Sequence, residues 1–425
     1  MIPPPVFSEA MFALTLGLLL LAPLAVAGVA LLNAGLGRSR SAAQAVLGSV
    51  TLAAVAAIAF AVLGVSFAGA PGHAIAMAGK SWDWIGGSPI LLRHFDSKPL
   101  QGQLAVLFEF VAAGMVAIIP WGSGADRLRL PAGCAIAAVL AGGVFPVVAH
   151  WTWEGGWLAR LGTDFGLGGG FVDGGGAASV HALGGLSALA TVWIAGSRRG
   201  KFPKEGLATA MPGHNAVYIL FGCLLAMVGW LAWNVAGAIL WLHAAANGLA
   251  ITAINTVLCA AAALVATFTV TRTRFGKPDA SMCANGWLAG LVSSSACAGV
   301  VNPIEAILVG AIAGIAAPLL VELLELALSI DDPSGAISVH AVGGLWGLFA
   351  AGMFAPHAGQ VMAQLVGIAT LLGFVFPLVY LLFVVMNRII TFRVEPDGER
   401  LGMDLYELGG GAYPEFVIHR DESYR

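Results

Sequence analysis

The chain has 425 residues, 59% hydrophobic and only 10% charged, with a formal net charge of −3 and a mean hydropathy of +0.88. A soluble protein of this size carries charge on about a quarter of its residues, so lipid is the outer solvent, and nucleic acid is excluded as a partner for want of a basic surface. The apolar residues come in long runs rather than short alternating segments, which excludes a membrane β-barrel and points to an all-α membrane protein.

The N-terminal MIPPPVFSEA has no basic residue and is not a signal-peptide start, so the apolar run from about 10 to 32 is read as the first span. A hydrocarbon core of about 30 Å takes about 20 apolar residues per helix. Runs of that length recur near 43–67, 101–121, 131–151, 176–195, 214–235, 246–271, 281–299, 303–328, 337–354 and 362–391. The expectation is eleven transmembrane helices in a domain over 1–392, followed by a polar tail over 393–425. The tail is too short for a domain and is expected to dock on the bundle or on a partner.

Every second connection is basic: Arg38 and Arg40, Arg127 and Arg129, the group Arg198, Arg199, Lys201 and Lys204, then Arg272, Arg274 and Lys277. The tail adds Arg388, Arg393, Arg400, Arg420 and Arg425, while the other side holds only Lys80, Arg93, Lys98 and Arg160. Positive residues stay cytoplasmic, which predicts an inner-membrane protein with its N-terminus outside and its C-terminus inside. The five cysteines form no CxxC pair and read as small buried hydrophobes. The 57 glycines predict close helix packing.

One motif occurs twice. Residues 179–189 read SVHALGGLSAL and residues 338–348 read SVHAVGGLWGL, which puts His181 and His340 on the fifth and tenth spans. The copies are 159 residues and five spans apart. An odd number of crossings reverses direction, so the two halves form an inverted five-helix repeat, about 9–196 and 212–355, with the eleventh helix outside it. Inverted repeats put a substrate path at their interface. Two-fold symmetry would bring both imidazoles to the axis, where a neutral pair can share an N–H, shuttle a proton or bind a small polar molecule. Gly184, Gly185, Gly343 and Gly344 beside them leave room for a narrow pore.

Asp173 lies eight residues before His181, where the fifth span begins. It suits a helix N-cap, and a carboxylate there would also favour a cation in the vestibule. Trp151, Trp153 and Trp157 sit at the end of the fourth span, either as an aromatic belt or with a ring offered to a cation. Asn234 on the sixth span suits interhelical hydrogen bonding. Glu109, Glu305, Glu322, Glu325, Asp331 and Asp332 read as structural. No metal-binding spacing, P-loop or nucleophile elbow is present, so neither an enzyme nor a cofactor is expected, and the glycine-rich GGGFVDGGG (168–176) falls on the outer side, away from any nucleotide.

Taken together, DGGGAASVHA (173–182), DDPSGAISVHAVGG (331–344), NGWLAGLVSSSACA (285–298), GVALLNAGLGRSR (28–40) and GMDLYELGGGAYPE (402–415) resemble the ammonium transporter (Amt/Mep/Rh) family over nearly the whole chain. The resemblance implies a homotrimer with one hydrophobic pore per protomer. It implies that Trp153 and Asp173 recruit ammonium on the outer side, and that His181 and His340 are twin pore histidines near which ammonium sheds its proton. It also implies that the tail is the segment through which PII-type signal proteins close such pores. Three positions depart from the family. Its recruitment serine in the sixth helix aligns with Gly237, and its paired gating phenylalanines align with Ala112 and Trp233, although Phe108, one turn earlier, fits the third-helix pattern. The altered ring stack leaves a wider mouth, weaker binding and rearrangement for another purpose as alternatives. The functions to separate are ammonium/ammonia transport, a non-conducting ammonium sensor of the same fold, and a bundle whose histidines only join helices.

Overall fold

The structure is a computed structural model that describes residues 7–413. Its bundle consists of α1 (Glu9–Leu36), α2 (Ser39–Ala68), α3 (Leu100–Ser123), α4 (Leu130–Thr152), α5 (Ala177–Ala195), α6 (Ala216–Leu240), α7 (Ala246–Phe275), α8 (Ala280–Cys297), α9 (Pro303–Ala327), α10 (Ile337–Phe354) and α11 (Gln360–Ile389). Among the described residues, ten of these helices are long and apolar enough to cross a membrane. The exception, α8, has the length but carries Asn285 and Ser293 to Ser295, all buried within the bundle.

The helix starts follow local chemistry. Ser8 caps α1 by accepting from the Met11 N–H, Asn215 caps α6, and Asp279 caps α8. Asn302 and Glu305 close a reciprocal capping box at α9. These side chains satisfy backbone donors that have no partner in the first turn. Inside α1, Pro23 removes a donor and breaks the regular ladder after Ala22.

Between α2 and α3 the chain forms a hairpin, β1 (Gly72–Met77) and β2 (Lys80–Gly86), antiparallel with Ile75 opposite Trp82. The turn residues Ala78 and Gly79 both have positive φ, at 51° and 72°, as the favoured two-residue hairpin turns require. Hydropathy alone reads this segment as a plain connection. The finer signal was the alternation Trp82-Asp83-Trp84 beside an Ala-Gly turn.

The two halves match in detail at α5 and α10. Each helix is preceded by an Asp and then a left-handed glycine: Asp173 and Gly176 (φ 81°), Asp332 and Gly335 (φ 69°). Each begins with a π-helical turn that carries its histidine, over Ala177–Ala182 and Ile337–Val342; such turns cluster at functional sites. The helices run in opposite directions. The end of α5 meets the start of α10 through Arg198 and Asp331, while the segment before α5 meets α11 through Gly169 and Gln360.

Where α5 and α10 cross, a Cβ on Gly185 would collide with the Ala341 backbone nitrogen. Reciprocally, a Cβ on Gly344 would lie 2.6 Å from the Ala177 carbonyl and 3.0 Å from the Ala182 nitrogen. Both obstacles are backbone, so neither can rotate away. Gly185→Val is therefore expected to cost more than about 3 kcal/mol and to abolish recovery of monodisperse protein in size-exclusion chromatography. Gly17→Ala, where nothing lies within 4 Å of the added carbon, is the control that should leave recovery intact.

The basic connections gather on one face, called here the basic face; the hairpin lies on the other. Buried Arg127 donates to the carbonyls of Gly196 (2.7 Å), Asp331 (2.7 Å) and Ala125 (3.1 Å). Burial pulls its guanidinium down to about 10 even with Asp331 beside it, so it stays charged at neutral pH. The chain after α11 docks here. Asp404 accepts from the Ala43 and Gln44 N–H groups at 3.1 and 2.8 Å, capping α2. Glu407 accepts from the Leu130 N–H and the Gln44 Nε2, capping α4. Carboxylates at these positive helix ends are favourable. The last part of the tail, 414–425, lies outside the described residues.

Candidate functional site

His181 and His340 meet at the centre of the bundle. Their Nδ1 atoms lie 3.3 Å apart and their rings 5.3 Å apart at 26°. Both are buried, with 1% and 3% exposure. At that distance one Nδ1 must carry a proton and donate it while the other accepts. One outward Nε2 is then an acceptor and the other a donor, so the pair can take a proton at one end and release one at the other. The His181 ring also stacks on Trp230 at 4.9 Å and 16°, and the Trp230 indole N–H donates to the Ser295 hydroxyl at 2.9 Å. Trp230 thereby sets the plane of the imidazole.

Below His340, toward the basic face, lies a narrow cavity lined by Leu32, Asn33, Leu288, Val339 and the polar Asn285 and Ser334. It has room for about one water-sized molecule.

Above the pair, toward the hairpin, is an aromatic cluster. The Phe108 ring packs on Trp233 at 4.5 Å, on Trp153 at 5.2 Å and on Trp241 at 5.8 Å. Trp153 and Trp241 stack almost parallel, 5.4 Å apart at 6°. The Trp153 indole N–H donates to the Asp173 carbonyl at 2.6 Å, and the Trp233 N–H to the Gly175 carbonyl at 2.8 Å. These bonds clamp the 173–176 loop under the rings.

The Asp173 carboxylate faces its own helix. It accepts from the Ala178 and Ser179 N–H groups, both at 3.0 Å, and from the Ser179 hydroxyl at 2.9 Å. Burial pushes this carboxyl up from its ordinary value, and the three hydrogen bonds work against that shift. Asp332 caps α10 in the same way, accepting from the Ile337 N–H at 2.7 Å and the Ser123 hydroxyl at 2.7 Å. Gly237 faces the backbone of the clamped loop: a Cβ there would collide with the Gly174 carbonyl oxygen. Ala112 is fully buried one turn after Phe108.

A sequence profile described as the Ammonium Transporter Family matches residues 11–413. The chain belongs to the ammonium transporter family. It is 34% identical over 417 residues to "Ammonium transporter Amt2" of Archaeoglobus fulgidus, covering 93% of this chain and 86% of that protein. It is 29% identical over 407 residues to "Ammonium transporter" of Bacillus subtilis, covering 91% and 94%. Among solved structures, "Sensor Amt Protein" superposes with a TM-score of 0.84 at 25% identity, covering 93% of this chain and 97% of that one. Candida albicans Mep2 superposes with a TM-score of 0.78 at 23% identity, covering 92% and 88%. The chain is thus a multi-pass membrane protein of a transporter family rather than of an enzyme family.

In this family member, the rings expected at positions 112 and 233 are supplied differently. Phe108 takes the place against Trp233, and Trp241, which the sequence reading passed over, covers the face of Trp153. The four rings pack closely on one another. A tryptophan at the end of a span looks like any belt residue, so only the fold distinguishes Trp241. The stack of Trp230 on His181 likewise joins residues far apart in the chain.

Proposed function

We propose that this protein conducts ammonium, as ammonia and a proton, through its own bundle from the hairpin face to the basic face. The observation that carries this reading is the His181–His340 pair, 3.3 Å apart, lying between the aromatic cluster and the one-molecule cavity. Moving a bare ammonium ion into so dry a channel costs far more than hydrogen bonds there can return, whereas neutral ammonia crosses at little cost. Ammonium is held at the aromatic mouth by Trp153 and the negative end of the clamped loop, sheds its proton near the imidazoles, and continues as ammonia. The proton moves through the imidazole pair, one nitrogen accepting as the other donates.

The basic face is assigned to the cytoplasm because positive residues resist translocation. A homotrimer, with one pore per protomer, suits the exposed apolar side chains along α1 and α6, among them Leu20, Val217 and Leu224. The docked tail, with Asp404 and Glu407 as helix caps, is the surface that a PII-type signal protein would address.

The test is a charge-movement recording on proteoliposomes. A saturable current on ammonium addition is the expected outcome; a protein that binds ammonium without current would overturn conduction. That second outcome is the sensor reading, favoured by the crowded mouth: Trp241 lies over Trp153 and the Gly174 carbonyl fills the side-chain space at Gly237. The structural likeness to "Sensor Amt Protein" supports it as well.

A further inference from the structure

Glu109 is the only charged residue in α3 and is 1% exposed. Its Oε1 has no hydrogen-bond partner among the described residues. A buried charge without a partner is unstable and shifts to whatever state neutralises it, and ionisable groups inside a membrane span are functional by default. Glu322 also has an unpartnered oxygen, but it already pairs with Arg274 at 2.6 Å. At the mouth, the Asp173 carboxylate is committed to its helix cap. The Asn234 Oδ1 beside Gly175 is also without a partner, but it is a neutral amide oxygen; among the described residues Glu109 is the buried carboxylate with neither a cap nor a close cation.

Its position follows from a ring contact. Phe108 touches Trp153 at 5.2 Å, and Glu109 and Glu154 are the residues that follow these two rings in the chain, beside this corner of the mouth. The charged groups that act on Glu109 are Glu154, from the chain after α4, and Lys98, from the chain before α3. Glu154 lies near the Ala70 backbone and feels Lys98 and His150. His150 is itself held between the Ala68 carbonyl at 2.8 Å and Asp83 at 3.0 Å. Lys98 leans on the Ser88 hydroxyl at 3.4 Å and forms no tight pair with either carboxyl. The corner therefore has two acids, one of them wholly buried, and no committed cation.

We propose that Glu109 is an ammonium-binding carboxylate at the mouth, in which an ammonium ion replaces a proton. The exchange balances as protonated Glu109 plus NH4+ giving the Glu109 carboxylate paired with NH4+ plus H+, and the proton leaves toward the hairpin face. The inference rests on the aromatic cluster being the ammonium mouth. It explains how a protein with a glycine at 237 and a capped Asp173 still concentrates the cation before the histidines. Because protons and ammonium compete for one group, apparent ammonium affinity falls as the pH on the hairpin side falls.

The experiment measures the ammonium concentration giving half-maximal current in proteoliposomes, from acidic to mildly alkaline pH. In the wild type this concentration rises as pH falls. Glu109→Gln raises it about tenfold at neutral pH, the effect of losing one charged contact, and flattens its pH dependence. Glu109→Asp keeps the pH dependence, and Glu154→Gln moves it to lower pH. A Glu109→Gln protein with wild-type half-saturation and pH dependence overturns the proposal. So does a pH-independent half-saturation in the wild type, which needs no variant to fold. If the wild type carries no current, conduction fails, and calorimetric titration of ammonium into detergent-solubilised wild type and Glu109→Gln tests the site by itself. Equal affinities there overturn it.

Discussion

His181→Ala lowers the ammonium-evoked current by roughly thirtyfold. The imidazole supplies one half of the 3.3 Å Nδ1 pair, and alanine leaves the His340 nitrogen buried without its partner. An unsatisfied buried polar group costs about 2 kcal/mol, which is roughly thirtyfold in rate where that group serves the rate-limiting crossing. The same substitution opens a gap beside Trp230, which loses its stacking partner at 4.9 Å. Solid-supported-membrane recordings on matched proteoliposomes check the result. His340→Ala, the symmetric change, lowers the current similarly, because either ring alone breaks the shared proton. A His181→Ala protein with unchanged current would remove the histidine pair from the conduction path.

Arg198→Met destabilises the bundle by about 3–5 kcal/mol, the usual cost of removing one partner from a buried ion pair. Arg198 donates to both oxygens of Asp331, at 2.9 and 3.0 Å, and to Asp126 at 3.1 Å. All three residues are 3% exposed. Methionine fills the volume but leaves two carboxylates buried with one cation fewer. Adding Asp331→Asn to Arg198→Met recovers part of the loss, since it removes one stranded charge.

The pH dependence has a definite sign. Burial pushes the Asp331 carboxyl up, but the Arg198 hydrogen bonds and the Arg127 charge outweigh this and hold it at about 2, against 3.8 ordinarily. The folded state thus binds this proton less tightly than the unfolded one. The stabilisation is complete above pH 3.8 and is lost as pH falls from there toward 2. The shift corresponds to roughly 2 kcal/mol. In detergent, the difference in melting temperature between wild type and Asp331→Asn should be full at neutral pH and shrink below pH 3.8.

The eleven spans were legible because apolar length is a local property, whereas the caps at Asn215, Asp279 and Asn302 that fix three of the helix starts were not read. The hairpin over Gly72–Gly86 was not read, since the span criterion ignores short alternating segments. Glu109 was read as structural; its missing hydrogen-bond partner is a fact about neighbours on other helices. Gly237 and Ala112 were visible as departures from the family pattern, but not what fills the space they leave.

By itself the sequence determined the membrane class, the reversed repeat and the two imidazoles on matching helices, because length, periodicity and a duplicated motif each survive without a fold. The tertiary structure decided how close α5 and α10 pass at Gly185 and Gly344, that Asp173 turns to cap its own helix, that Trp241 closes over Trp153, and that one oxygen of Glu109 is left without a partner. Each depends on atoms brought within about 4 Å from distant parts of the chain, and contact at that scale is set by packing.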